Sequence, residues 1–180
     1  EIFTEYVFDH IESLARGGLR RVLVLNGHGG NIRPLASVLG EFRRRLPGID
    51  LRACSYWDLL PEELPLRELA SGTAPGHGEE FETSALMHIA PAKVRPEAIE
   101  HPDARAASAA KGKVLLEAVV DRLEAYLRAF AAGEAPEVAP VSWVAGEVRR
   151  GTEWHPFVSR GTALTDEREG TQSLPTERYE

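Results

Sequence analysis

The chain has one cysteine, Cys54, in 180 residues, so no disulfide can form within it. That fits a reducing compartment, and a cytoplasmic location is expected. Cys54 itself reads as a small strand residue. No run of about 18 apolar residues occurs, so no segment is expected to span a membrane. Positive charge is in deficit, with 21 Lys and Arg against 28 Asp and Glu for a net charge of −7. That balance argues against a general nucleic-acid binder. No internal repeat is visible, and no signal peptide. The chain begins with Glu1 rather than Met, so it is expected to be a piece of a longer protein or a processed one. What remains is a length of about one domain, with 43% hydrophobic residues to build a core.

Those residues are patterned. Phe3, Val7, Ile11 and Leu14 have helical spacing, and Gly17-Gly18 follow where a helix ends. "RRVLVL" (20–25) reads as a strand buried on both faces, as in a parallel sheet. Pro34 suits a helix first turn, Leu35, Val38, Leu39, Phe42 and Leu46 mark one helical face, and Pro47-Gly48 ends it. "IDLRACSYW" (49–57) reads as the next strand, parallel to the first with the helix crossing over. Residues 61–70 read as a short helix or structured loop, 71–76 as a loop and 79–90 as a helix. A long helix is expected over 104–132, with Leu116, Val120, Leu123, Leu127 and Phe130 as its buried stripe. The reading is therefore an α/β domain over 1–132 and an irregular extension over 133–180, where Trp143 and Trp154 can dock on a surface.

Two short motifs carry chemistry. "NGHGGN" (26–31) leaves the first strand at its carboxyl end, where open α/β sheets bind ligands. Gly29 and Gly30 lack Cβ atoms and let backbone approach a ligand or ion, while His28 can offer an imidazole nitrogen. Asn26 and Asn31 can hold the loop by local hydrogen bonds. The plainer alternative is a tight βα turn with an incidental histidine. A phosphate-cradling loop, and with it a nucleotide-binding domain, fits poorly, because the spacing matches neither glycine-rich fingerprint. The second motif, "GHGEEFETS" (76–84), gathers His77, Glu79, Glu80 and Glu82 at a helix start. Imidazole and carboxylate suit Zn²⁺, Mn²⁺ or Fe²⁺ and also proton transfer. Its plainer alternative is a solvated acidic first turn. His10, His88, His101 and His155 read as residues without a chemical role.

Taken together, "NGHGGN", "GHGEEFETSALMHIAP" and "ASAAKGKVLLEAVVDRL" (107–123) resemble the creatininase family of metal-dependent amidohydrolases. The resemblance implies a three-layer α/β/α sandwich around a mostly parallel sheet. It implies hydrolysis of a C–N bond in a cyclic or linear small-molecule amide, and a divalent metal, zinc first, with manganese or iron as alternatives. His28 matches the family's metal-binding histidine, and His77 the one that passes protons to the leaving nitrogen. Glu82 matches the glutamate of "ETS", for metal binding or ligand support. Trp57, Gly29 and Gly30 fall on the substrate side. Family members are typically homo-oligomers, often hexamers built from dimers. Three features depart from the pattern. No "EQHGPHLPLGTD"-like segment, with its further Glu, His and Asp ligands, is present. Gly30 stands where creatininase itself has glutamate, and Glu79 where glycine is common. The competing expectation is a non-catalytic ligand-binding or assembly domain with an incomplete metal site.

Overall fold

The computed structural model describes residues 2–144 and 146–150; Trp154 and His155 lie outside the described residues. Helix α1 (Ile2–Arg16) leads to strand β1 (Arg21–Asn26), helix α2 (Ile32–Arg45) and strand β2 (Asp50–Ser55). β1 and β2 pair in parallel with Val22 opposite Leu51 and Asn26 opposite Ser55. The expected crossover is thus present, and the fold is α/β.

Side chains alternate across a strand, so the pair buries two faces. Val22, Val24 and Leu51 pack with Phe8 and Ile11 of α1 and Phe42 of α2. Leu23 points the other way, toward Tyr126 and Phe130 of the long helix α5 (Ala109–Ala132). Helices therefore cover the short sheet on both sides, giving three layers. Among the described residues no helix is long and apolar enough to cross a membrane.

A third apolar cluster lies beyond the carboxyl ends of the strands. Trp57, Leu60, Leu64 of α3 (Glu63–Glu68), Phe81 of α4 (Glu80–Ile89), and Leu115 and Val119 of α5 build it around Trp143. Trp143 belongs to β3 (Val141–Val144), which forms an antiparallel hairpin with β4 (Glu147–Arg150). The segment expected to be irregular thus contains a hairpin, and Trp143 is 0% exposed. Its indole N–H donates to the carbonyl of Glu62 at 2.9 Å, which satisfies the polar end of a fully buried ring.

The long helix differs from its sequence expectation in two ways. It starts at Ala109, capped by the Ser108 hydroxyl, after a 3-10 turn over Asp103–Ala106. Its buried face is Gly112, Leu115, Val119, Tyr126 and Phe130 rather than the stripe through Leu116. Val120 is 60% exposed and Leu127 43%. Both sets have helical spacing, so periodicity alone cannot choose between them. The choice is made by Gly112, which passes against α4, and by the Tyr126 hydroxyl, which donates to the Pro136 carbonyl.

Candidate functional site

The first loop is built by Asn26. Its buried side chain donates to the His28 carbonyl at 2.9 Å and to the Ser55 hydroxyl at 3.0 Å. Its amide oxygen accepts from the His28 N–H and from the Asn31 side chain, each at 3.2 Å. One residue thus joins the carboxyl ends of both strands and closes the turn, as local hydrogen bonding predicts. His28 caps the 3-10 turn Gly29–Asn31, its Nδ1 accepting from the Gly30 N–H at 3.2 Å. A Cβ on residue 30 would lie 3.1 Å from the imidazole, so Gly30 makes room for His28. Gly29 is buried beneath the turn.

The second loop runs from Ser71 to Glu79. Gly76 and Gly78 have φ of +72° and +67°, a region that favours glycine, and they flank His77. The hairpin braces this loop. Ala74 and Trp143 exchange two backbone hydrogen bonds of 3.1 Å, and the Gly146 N–H donates to the Gly72 carbonyl at 2.8 Å. The result brings His77 to His28, with ring centroids 6.4 Å apart and the rings edge to face. The Glu82 carboxylate accepts from the Gly78 N–H at 2.6 Å, which fixes it beside the His77 loop at the start of α4. Tyr56 stacks on Phe81 at 6.0 Å. Burial pushes its phenol above the usual range, and the charge of Glu82 pushes the same way.

Trp57 sits elsewhere. The strand ends at Ser55 and a 3-10 turn over Tyr56–Leu59 swings the indole into the core, where it is 2% exposed. Its neighbour Tyr56 is half-buried, and the charge of Glu82 reaches its phenol.

Beside Glu79, two residues that the sequence did not single out for chemistry, Asp58 and His101, matter here. Glu79 is buried, with its carboxyl 4.0 Å from the His101 Nε2. Burial pushes that carboxyl up, while His101 and His77 pull it down and Asp103 and Glu82 push it up. His101 also keeps a buried Nδ1 with no hydrogen-bond partner among the described residues. Asp58 accepts from the Ser55 N–H at 2.7 Å and the Val141 N–H at 3.0 Å. Burial raises its carboxyl to about 6 against the pull of those two bonds.

The start of α4, Glu80 with Thr83 and Ser84, and the "ASAAKG" motif form one clip. Glu80, 0% exposed, accepts from the Ser71 N–H at 2.7 Å and from the Lys111 ammonium. The Thr83 hydroxyl donates to the Gly78 carbonyl at 3.1 Å, and the Ser84 hydroxyl accepts from the Ser108 N–H at 3.1 Å. Gly112 lets α5 cross at this point, since a Cβ there would meet the Ser84 carbonyl oxygen at 1.9 Å. Gly112→Ala is therefore expected to cost about 1–3 kcal/mol by overpacking. The check is a fall in Tm; an unchanged Tm would mean that the helices part without cost.

A divalent ion needs three or four donors. His28 and Glu82 have suitable chemistry, yet among the described residues no three His, Cys, Asp or Glu side chains are grouped to hold an ion. His28 adds a second mismatch. With Nδ1 accepting from Gly30, the neutral ring carries its proton on Nε2. An ion on Nε2 needs that proton on Nδ1, so the Gly30 hydrogen bond must first be given up. The described residues therefore fit part of a metal site and do not complete one.

A family model described as Creatininase, creatinine amidohydrolase, matches residues 1–106. No curated protein and no solved structure gives a match.

Proposed function

Because the chain belongs to the creatininase family, we propose that it acts as a metal-dependent amidohydrolase on a small cyclic or linear amide. The observation that carries this reading is the facing pair of rings, His28 and His77, 6.4 Å apart at the carboxyl edge of the parallel strands. In it, His77 passes a proton to the leaving nitrogen, and the glycines on either side let its loop sit close to a bound substrate. His28 and Glu82 serve as two ligands of a divalent ion, zinc in the first instance, whose other ligands come from outside the described residues. Gly29 and Gly30 lie beside the substrate through backbone alone. The test is hydrolysis of a panel of cyclic and linear amides by the full-length natural protein loaded with zinc, manganese or iron. No turnover with any metal would sink the reading.

One observation favours a second reading, a non-catalytic ligand-binding or assembly domain: the incomplete ligand set described above. Calorimetry separates the two. Amide binding without turnover in the full-length protein would select the second.

We also propose self-association through the exposed face of α5. Val120, Leu123 and Leu127 lie beside Glu124 and Arg128, which pair one turn apart at 2.6 Å. Turned antiparallel on a second copy, this face sets each charge against its opposite, as a twofold interface requires. Light scattering at tens of micromolar is expected to show an oligomer that Leu127→Lys disperses; a monomeric parent protein would overturn this.

A further inference from the structure

We propose that Asp58 is a positioning residue that holds the His28 loop and the His77 loop in register. This rests on the reading that the two histidines form one site. They reach it from different parts of the fold. His28 leaves the sheet, whereas His77 lies on a loop hung between α4 and the β3–β4 hairpin. Asp58 bonds to both halves at once. Its Oδ2 accepts from the Ser55 N–H at 2.7 Å, at the last residue of β2. Its Oδ1 accepts from the Val141 N–H at 3.0 Å, at the first residue of β3.

From each oxygen a short path of hydrogen bonds leads to one histidine. The Ser55 hydroxyl accepts from Asn26 at 3.0 Å, and Asn26 holds both the N–H and the carbonyl of His28. On the other side, β3 runs two residues from Val141 to Trp143, whose backbone holds Ala74 by two bonds of 3.1 Å. Ala74 lies three residues before His77. The residue is 8% exposed, so water is a poor substitute for either bond.

The geometry asks for a carboxylate in particular. Two backbone donors from separate segments aim at two different oxygens. An asparagine can accept only one of them and turns its own N–H₂ toward the other. Asp58→Asn therefore keeps the side-chain volume and cuts the link on one side.

The experiment is NMR on the labelled chain. In the parent protein a cross-relaxation peak is expected between the His28 and His77 rings, with slow exchange of the Ser55 and Val141 amides. In Asp58→Asn the inter-ring peak is expected to be lost and one of the two amides to lose protection. Ile11→Val serves as a control, because it loosens the opposite face of the sheet and should leave the inter-ring peak in place. An inter-ring peak retained in Asp58→Asn with one amide unprotected would overturn the proposal. So would loss of the peak in both variants. If Asp58→Asn does not fold, Ser55→Ala decides, since it removes the hydroxyl joint to Asn26, together with the hydroxyl's cap on the Tyr56–Leu59 turn, and leaves the Ser55 N–H bond to Asp58 in place. A weakened inter-ring peak with a folded chain supports the link, and unchanged peaks overturn it. The readout is geometric, so it fails independently of hydrolysis. A protein with the link intact and no amidase activity would sink the functional reading alone.

Discussion

Lys111→Met is expected to destabilise the protein by roughly 3–5 kcal/mol, the usual cost of leaving one member of a buried ion pair alone. Glu80 has no exposure and relies on the Lys111 ammonium, the backbone N–H groups of Ser71 and Ala70, and the Ser71 hydroxyl. Burial by itself would raise its pKa, but these bonds bring it below the ordinary carboxylate range. A depressed acid stabilises the fold above its unfolded pKa of about 4.3, and that contribution is lost as pH falls through the folded value. The parent protein is therefore expected to lose stability in acid. In Lys111→Met the largest of these bonds is gone and burial weighs more, so the loss of stability in acid is expected to be smaller than in the parent. Urea unfolding at several pH values reads both effects. A variant within about 0.5 kcal/mol of the parent at pH 7 would mean that the pair holds nothing together. Glu80→Gln should be milder, because Lys111 is about a quarter exposed, at 27%, and can hydrate.

His77→Ala is expected to lower kcat of the full-length protein by about 10²–10⁴-fold, the range for loss of a proton-transferring side chain. KM should change little, since in the proposed role the ring moves a proton rather than holds substrate. His77 stands on an exposed loop between two glycines of positive φ, so its removal should leave the core intact. Thermal unfolding within a degree or two of the parent is the accompanying check. Loss of bound metal in step with activity would reassign His77 from proton carrier to ligand. His28→Ala should behave in the opposite way, losing metal and activity together.

Much of this arrangement was legible along the chain, and the reasons differ by element. The β1–α2–β2 unit announces itself because an apolar run, a glycine turn and a helix ended by Pro47-Gly48 leave no other reading. The crowding of glycine and asparagine around His28 likewise foretold a clamped loop at the strand end. Other features depend on contacts that sequence spacing does not record. Glu80 and Lys111 are 31 residues apart, so their pairing follows only once α4 and α5 cross. Trp57 reads as the end of a strand, and the family resemblance puts it on the substrate side, but one 3-10 turn redirects it into the core. The hairpin was hidden for a different reason. Val141 and Trp143 alternate inward with Ser142 and Val144, the period of a strand, within a stretch whose proline and charge read as loop. Helix α5 has apolar residues on two faces, and the approach at Gly112 and the Tyr126 bond to Pro136 decide which is inside.

The hairpin also bears on where this chain can be cut and recombined. Ala132 closes α5 and Gly133 turns out of it in the left-handed conformation, which makes that point look like a natural seam. A graft or chimera joined there would carry every histidine of the candidate site, yet it would leave Trp57 and Phe81 facing the space that Trp143 fills. It would also strip the backbone partners from the loop on which His77 stands. The smallest portable unit of this fold therefore reaches at least to Arg150, and designs that borrow the site should treat the ten residues Val141–Arg150 as part of its frame.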